Sequence, residues 1–146
     1  MSKKLFFLTA LFLAFACSKD ESGETFLKKY DGTSWRINDS EILTLIDGTY
    51  FYNFVFTSGD VPYCNKLKEG VQTKNGEQLE VTITKNEPDE MIWENKLGGA
   101  LVQRSSLTGN GETLTDRATY FDEDGSSSDE TYTYTKTNAS YSDYCN

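Results

Sequence analysis

The chain contains no histidine. Ser-His-Asp and Cys-His nucleophilic arrangements are therefore excluded, and so is zinc held in imidazole sites. Its glycines fall at turn spacing, and no phosphate-cradling glycine-rich loop with its lysine is present. Basic clusters are also missing: 14 Lys and Arg face 23 Asp and Glu, for a formal charge of -9. A nucleic-acid footprint needs the opposite sign, so nucleic acid is excluded as a partner. Beyond residue 26 no segment repeats apolar residues every 3.6 positions over three turns, which argues against a helical domain. What remains for catalysis is carboxylate chemistry, since the acids could supply a glycosidase pair. Most of them sit in turns or on polar strand faces, so the chain reads as non-enzymatic, with no cofactor.

The amino terminus carries an address. Lys3 and Lys4 precede an apolar run from Leu5 to Ala16, followed by Ala14-Phe15-Ala16-Cys17 with small residues at the first and third places before the cysteine. This is the form of a signal-peptidase II lipobox, and the run is shorter than the roughly 20 residues that span a bilayer. The expected processing removes residues 1-16, lipidates Cys17 with palmitate-type chains and leaves residues 17-26 as a polar tether. Cleavage would take Lys3 and Lys4 but no acid, moving the formal charge from -9 to -11. Such a domain is repelled by anionic headgroups, so the covalent lipid must hold it on the membrane. Ser18-Lys19-Asp20-Glu21 resembles the lysine-plus-acidics signal of Bacteroidota-type surface lipoproteins. That resemblance implies the outer face of the outer membrane.

Three cysteines minus Cys17 leave Cys64 and Cys145, an even pair in an exported protein. A disulfide between them is expected, closing a loop of about 80 residues and contributing at most about 4 kcal/mol by chain entropy. It would pin the extreme carboxy terminus to the body of the fold.

Turn signals recur through residues 27-146 at Asp47-Gly48, Ser58-Gly59-Asp60, Asn75-Gly76, Pro88-Asp89, Gly98-Gly99, Gly109-Asn110-Gly111 and Asp124-Gly125. Between them lie alternating segments rich in Thr, Tyr and β-branched residues, as half-buried strands prefer. One face of 49-57 carries Tyr50, Tyr52, Phe54 and Phe56; Leu79, Val81 and Ile83 alternate with polar residues; so do Tyr132 and Tyr134. Asp47-Gly48 is the strongest hairpin signal, suited to a type I′ turn. Thr25 to Tyr30 can make one helical turn. Strands are expected near 33-38, 41-46, 49-57, 66-73, 78-85, 90-96, 100-108, 113-121 and 129-137. The fold class is all-β: a single antiparallel up-and-down β-barrel of about eight strands, whose closure hides both edges. A two-sheet β-sandwich is the alternative.

Tyr30-Asp31-Gly32-Thr33-Ser34-Trp35-Arg36-Ile37 resembles the glycine-then-tryptophan opening of lipocalin-like domains, with one extra residue between Gly32 and Trp35. The resemblance implies that Trp35 plugs one barrel end beneath a basic residue of the last strand, here Lys136 in place of the usual arginine.

Two functions fit. A hollow barrel would bind a small apolar ligand through inward residues such as Tyr52, Phe54, Trp93, Tyr120 and Tyr134. A filled barrel would instead use its outer face as a protein- or glycan-interaction module at the cell surface. In the loop 122-130, Asp122, Asp124, Ser126 and Glu130 offer oxygen ligands spaced like part of a calcium loop. The full frame is missing, and a hairpin turn bent at Asp124-Gly125 is the preferred reading, with no metal site.

Overall fold

Alternation of inward apolar and outward polar side chains produces ten strands in the computed structural model, which describes residues 23-145. They are β1 (Ser34–Asn38), β2 (Glu41–Leu45), β3 (Tyr50–Ser58), β4 (Val61–Lys68), β5 (Gly70–Lys74), β6 (Glu77–Glu87), β7 (Glu90–Leu97), β8 (Ala100–Gly109), β9 (Thr113–Phe121) and β10 (Ser127–Thr137). A four-residue helix α1 (Phe26–Lys29) precedes them, capped by the Thr25 side chain, which accepts from the Lys28 amide. The signal segment, Cys17 and Lys19-Asp20-Glu21 lie outside the described residues.

All ten strands form one antiparallel sheet in the order β4-β3-β2-β1-β10-β9-β8-β7-β6-β5. The first and last strands pair, Trp35 opposite Lys136, so the meander curls into a nearly closed up-and-down barrel rather than two stacked sheets. Its strand count is ten, one more than the nine segments expected and slightly above the barrel of about eight. The expected strand 66-73 is in fact two, because the chain reverses at Glu69-Gly70, where Gly70 adopts φ 91. This reversal leaves β4 and β5 as the two sheet edges, facing one another across a seam. Pro62, with no N–H to give, stands on one of those edges, where a proline can be accommodated.

The Asp47-Gly48 hairpin joins β2 to β3 as expected, but neither residue has positive φ, so it is not a type I′ turn. The loop is pinned from outside: the Asp47 amide donates to Asp31 Oδ1 at 2.8 Å. Asn75 (φ 53) and Gly76 (φ 85) instead make the tight two-residue connection, between β5 and β6. Just after the Asp47 loop a bulge shifts the β3 register between Tyr50 and Tyr52. Phe51 thereby enters the core while Tyr50 turns out to solvent, which breaks the simple alternation of tyrosines and phenylalanines.

One barrel end is a floor. Phe26, Leu27 and Tyr30 from the α1 region close it over Trp35, Leu43, Leu45, Leu107 and Leu114. α1 is fastened to the β6-β7 turn, with the Leu27 amide on Asn86 Oδ1 at 3.2 Å and Lys29 Nζ on Asp89 Oδ1 at 3.2 Å. Gly109 permits that approach, since a Cβ there would lie 2.5 Å from the Tyr30 hydroxyl. The aromatic ring set against Trp35 is that of Tyr30, with centroids 5.8 Å apart and planes at 75°. Lys136 stands beside Trp35 in the ladder but is exposed, so the cover that the lipocalin-like opening implied for lysine is supplied by the amino-terminal helix region.

A second, smaller apolar cluster lies outside the barrel wall. After β10 the chain crosses the outer face of β2 and β3, where Tyr141 and Cys145 pack on Ile42 and Val55. The Tyr141 amide donates to Thr44 Oγ1 at 2.9 Å, and Cys145 is bonded to Cys64 of β4 as expected. The carboxy-terminal tail is thus a strap that ends on an edge strand.

Candidate functional site

Opposite the floor the barrel is hollow. A cavity of about 540 Å³ occupies the half of the barrel nearer the β1-β2, β3-β4, β5-β6, β7-β8 and β9-β10 turns. Its volume lies within the range of small-molecule sites. Tyr52, Phe54, Trp93, Tyr120 and Tyr134 all line it. Five residues separated by up to 82 positions therefore share one chamber, because each sits in the inward phase of its strand.

The aromatic wall is built around Trp93. Its ring packs against Phe51, centroids 5.9 Å apart and nearly perpendicular, and against Tyr52 at 5.4 Å. The bulge in β3 allows both contacts. Burial pushes the Tyr52 hydroxyl well above the usual phenol range and Tyr134 above it too, with neighbouring Asp116 adding to both. Tyr120 is raised chiefly by burial as well. All three are neutral phenols at physiological pH.

Polar groups in this chamber are few and unusual. Asp116 is 4% exposed, and its Oδ1 has no hydrogen-bond partner. Desolvation pushes its carboxyl up to about 7, with the adjacent Tyr52 hydroxyl pulling in the other direction. Asn95 donates to Gln103 Oε1 at 2.9 Å, and Gln103 donates in turn to Ser105 Oγ at 2.8 Å. This chain leaves Asn95 Oδ1 unpartnered, and the Trp93 indole N–H is unpartnered too. Buried polar atoms are nearly always paired, and three unpaired ones belong to residues of this one cavity wall.

Asp116, Asn95 and Gln103 were not among the residues expected from sequence. The signal was available: Leu114, Asp116, Ala118 and Tyr120 share one strand phase, which places the aspartate among apolar neighbours. Abundance concealed it, because 23 acidic residues make any single one look like solvent-facing charge.

A second cavity of about 520 Å³ lies at the seam, where no ladder joins β4 to β5. Side chains bridge that gap: Gln72 Oε1 accepts from the Lys68 amide at 3.3 Å, and Lys74 Nζ donates to Asn65 Oδ1 at 3.4 Å.

The acidic loop is a stitched turn. Ser126 donates its amide to Asp124 Oδ1 at 2.9 Å and its hydroxyl to Asp122 Oδ2 at 3.0 Å, while Gly125 takes φ 85. Glu130 accepts from the Tyr132 hydroxyl. Among the described residues no group of three or more His, Cys, Asp or Glu is placed to hold a metal ion.

Comparison with protein-family models, with curated proteins and with solved structures finds no match to this chain.

Proposed function

We propose that this protein is a non-enzymatic, lipid-anchored binding protein of the outer membrane, lipocalin-like in resemblance, that holds a small, largely apolar ligand inside its barrel. The observation that carries this reading is the aromatic-walled cavity of about 540 Å³, open at one barrel end and floored at the other by α1. Such a chamber can remove most of a small ligand's surface from water, at about 25 cal/mol per Å² of apolar area. The lipobox and the Lys19-Asp20-Glu21 signal support attachment through Cys17 at the cell surface. α1 sits at the floor, so a tether upstream of it leaves from the closed end and the mouth is free to face away from the membrane.

Saturable one-to-one binding of the neutral fluorophore N-phenyl-1-naphthylamine is the test. Binding weakened by Phe54→Arg, which places a charge on the cavity wall, is the expected result; no saturable binding to the wild type sinks the proposal. For the anchor, cells labelled with palmitate should mark the wild type and not Cys17→Ser.

One observation favours the second reading, a surface interaction module for protein or glycan. Phe56 and Tyr63, paired on the β3-β4 hairpin, and Val61 near its tip are all exposed at the mouth end. An interaction module would lose its partner on Tyr63→Ser while fluorophore binding stayed intact.

A further inference from the structure

We propose that the ligand is an organic cation, an amine carried on an apolar or aromatic body, with Asp116 as its counter-ion inside the barrel. This rests on the reading of the cavity as a ligand site and names the class of molecule that fits it.

Asp116 is the starting point. A carboxyl group only 4% exposed to solvent carries its charge at modest cost only beside a cationic or multiply donating partner. Among the described residues no lysine or arginine forms an ion pair with it, and its Oδ1 accepts no hydrogen bond. The lysine on the cavity wall, Lys74, belongs to β5 at the mouth and donates to Asn65. Apart from the Tyr52 hydroxyl beside it, the described residues supply Asp116 with no partner, and with no charged one.

The surroundings select its charge. Tyr52, Trp93, Tyr120 and Tyr134 turn aromatic rings toward the same chamber, and ring faces attract cations. Asn95 Oδ1 is a second unpartnered acceptor among the lining residues. Glu41 and Glu77 also line the cavity, so an anionic ligand would enter against three carboxyl groups. A fatty acid or other carboxylate is therefore disfavoured on the same wall that suits an amine.

Three probes with one indole body separate the charges: tryptamine (cation), tryptophol (neutral) and indole-3-acetate (anion), each titrated calorimetrically into the full chain at neutral pH. Tryptamine should bind about tenfold tighter than tryptophol, a margin appropriate to one desolvated charge contact, and indole-3-acetate weakest. Asp116→Asn should remove that margin. Tryptophol binding as tightly as tryptamine, indole-3-acetate binding tightest, or an unchanged margin in Asp116→Asn overturns the cation. The ordering of the three probes on the wild type needs no variant. If none of the three binds while N-phenyl-1-naphthylamine does, the cation fails and the cavity reading stands; if the fluorophore also fails, both are overturned.

Discussion

Lys68 donates its backbone N–H to the side-chain Oε1 of Gln72 across the seam of the barrel, at 3.3 Å. Elsewhere neighbouring strands are held by backbone ladders, whereas β4 and β5 meet through side chains. Gln72 also donates to the Lys66 carbonyl at 3.5 Å, so one residue bridges two positions of the opposite edge.

Gln72→Ala should loosen this boundary locally. One exposed and one part-buried hydrogen bond together contribute about 1 kcal/mol to global stability, so the melting temperature should move little. Amide hydrogen exchange should nevertheless accelerate in β4 and β5 and stay unchanged in β7 to β9. Uniform acceleration across the barrel would show that the seam is not a separate unit.

The Cys64–Cys145 bond ties the tail strap to the edge strand β4. Replacing both cysteines by serine should lower stability by about 2-4 kcal/mol in urea unfolding, chiefly through the freer unfolded chain. Tyr141 and Val55 should become accessible in the folded state, because their cluster contains Cys145 itself. Protection at Tyr141 that survives the double substitution would assign the strap to its hydrogen bond with Thr44 instead.

Asp116 gives the fold a pH dependence of known sign. Its carboxyl titrates near 7 in the folded protein, against about 3.9 in an unfolded chain. Between those values the folded state holds the extra proton, so stability falls as pH rises through this window, and the whole cost is present above pH 7. Asp116 interacts with Tyr52, Tyr120 and Tyr134, which remain neutral there, while Glu41, Glu77, Glu130 and Lys74 are common to wild type and variant. Asp116→Asn should match the wild type within about 1 kcal/mol near pH 4 and exceed it by a few kcal/mol near pH 8. Urea midpoints at the two pH values check this, and a difference independent of pH would contradict it.

Gly109→Ala should be costly at a position that looks like an ordinary strand end. The new methyl would meet Tyr30 Oη at 2.5 Å, Tyr30 Cζ at 2.7 Å and Leu114 Cδ2 at 2.7 Å. Overpacking of this kind costs about 1-3 kcal/mol. Adding Tyr30→Phe, which removes the nearest atom and an unpaired buried hydroxyl, should recover part of the loss. Strictly additive effects in the double-mutant cycle would mean that α1 does not bear on β8 through this contact.

Most of the strand pattern, the barrel, the disulfide and the five aromatic residues of the cavity were legible in the sequence, because each follows largely from local rules, although most of β4 was missed. Two-residue alternation fixes which side chains share a face, turn residues fix where strands end, and an even pair of cysteines has one possible partner each. Pro62 also carried a readable mark of an edge strand, though its significance emerges only once β4 is known to border the seam.

Other features depend on distances that no local rule contains. The seam exists because the tenth strand returns to pair with the first, which leaves the reversal at Glu69-Gly70 to set two edges side by side. That Tyr30 rather than Lys136 covers Trp35 depends on how α1 docks on the floor. Most of all, alternation can turn Asp116 inward, but only the closed wall removes water from it and gathers Tyr52, Trp93 and Tyr134 around the same space. By itself the sequence determined which residues face one another's side of the sheet; the tertiary structure decided that this side encloses a cavity, because desolvation is a property of closure rather than of any one strand.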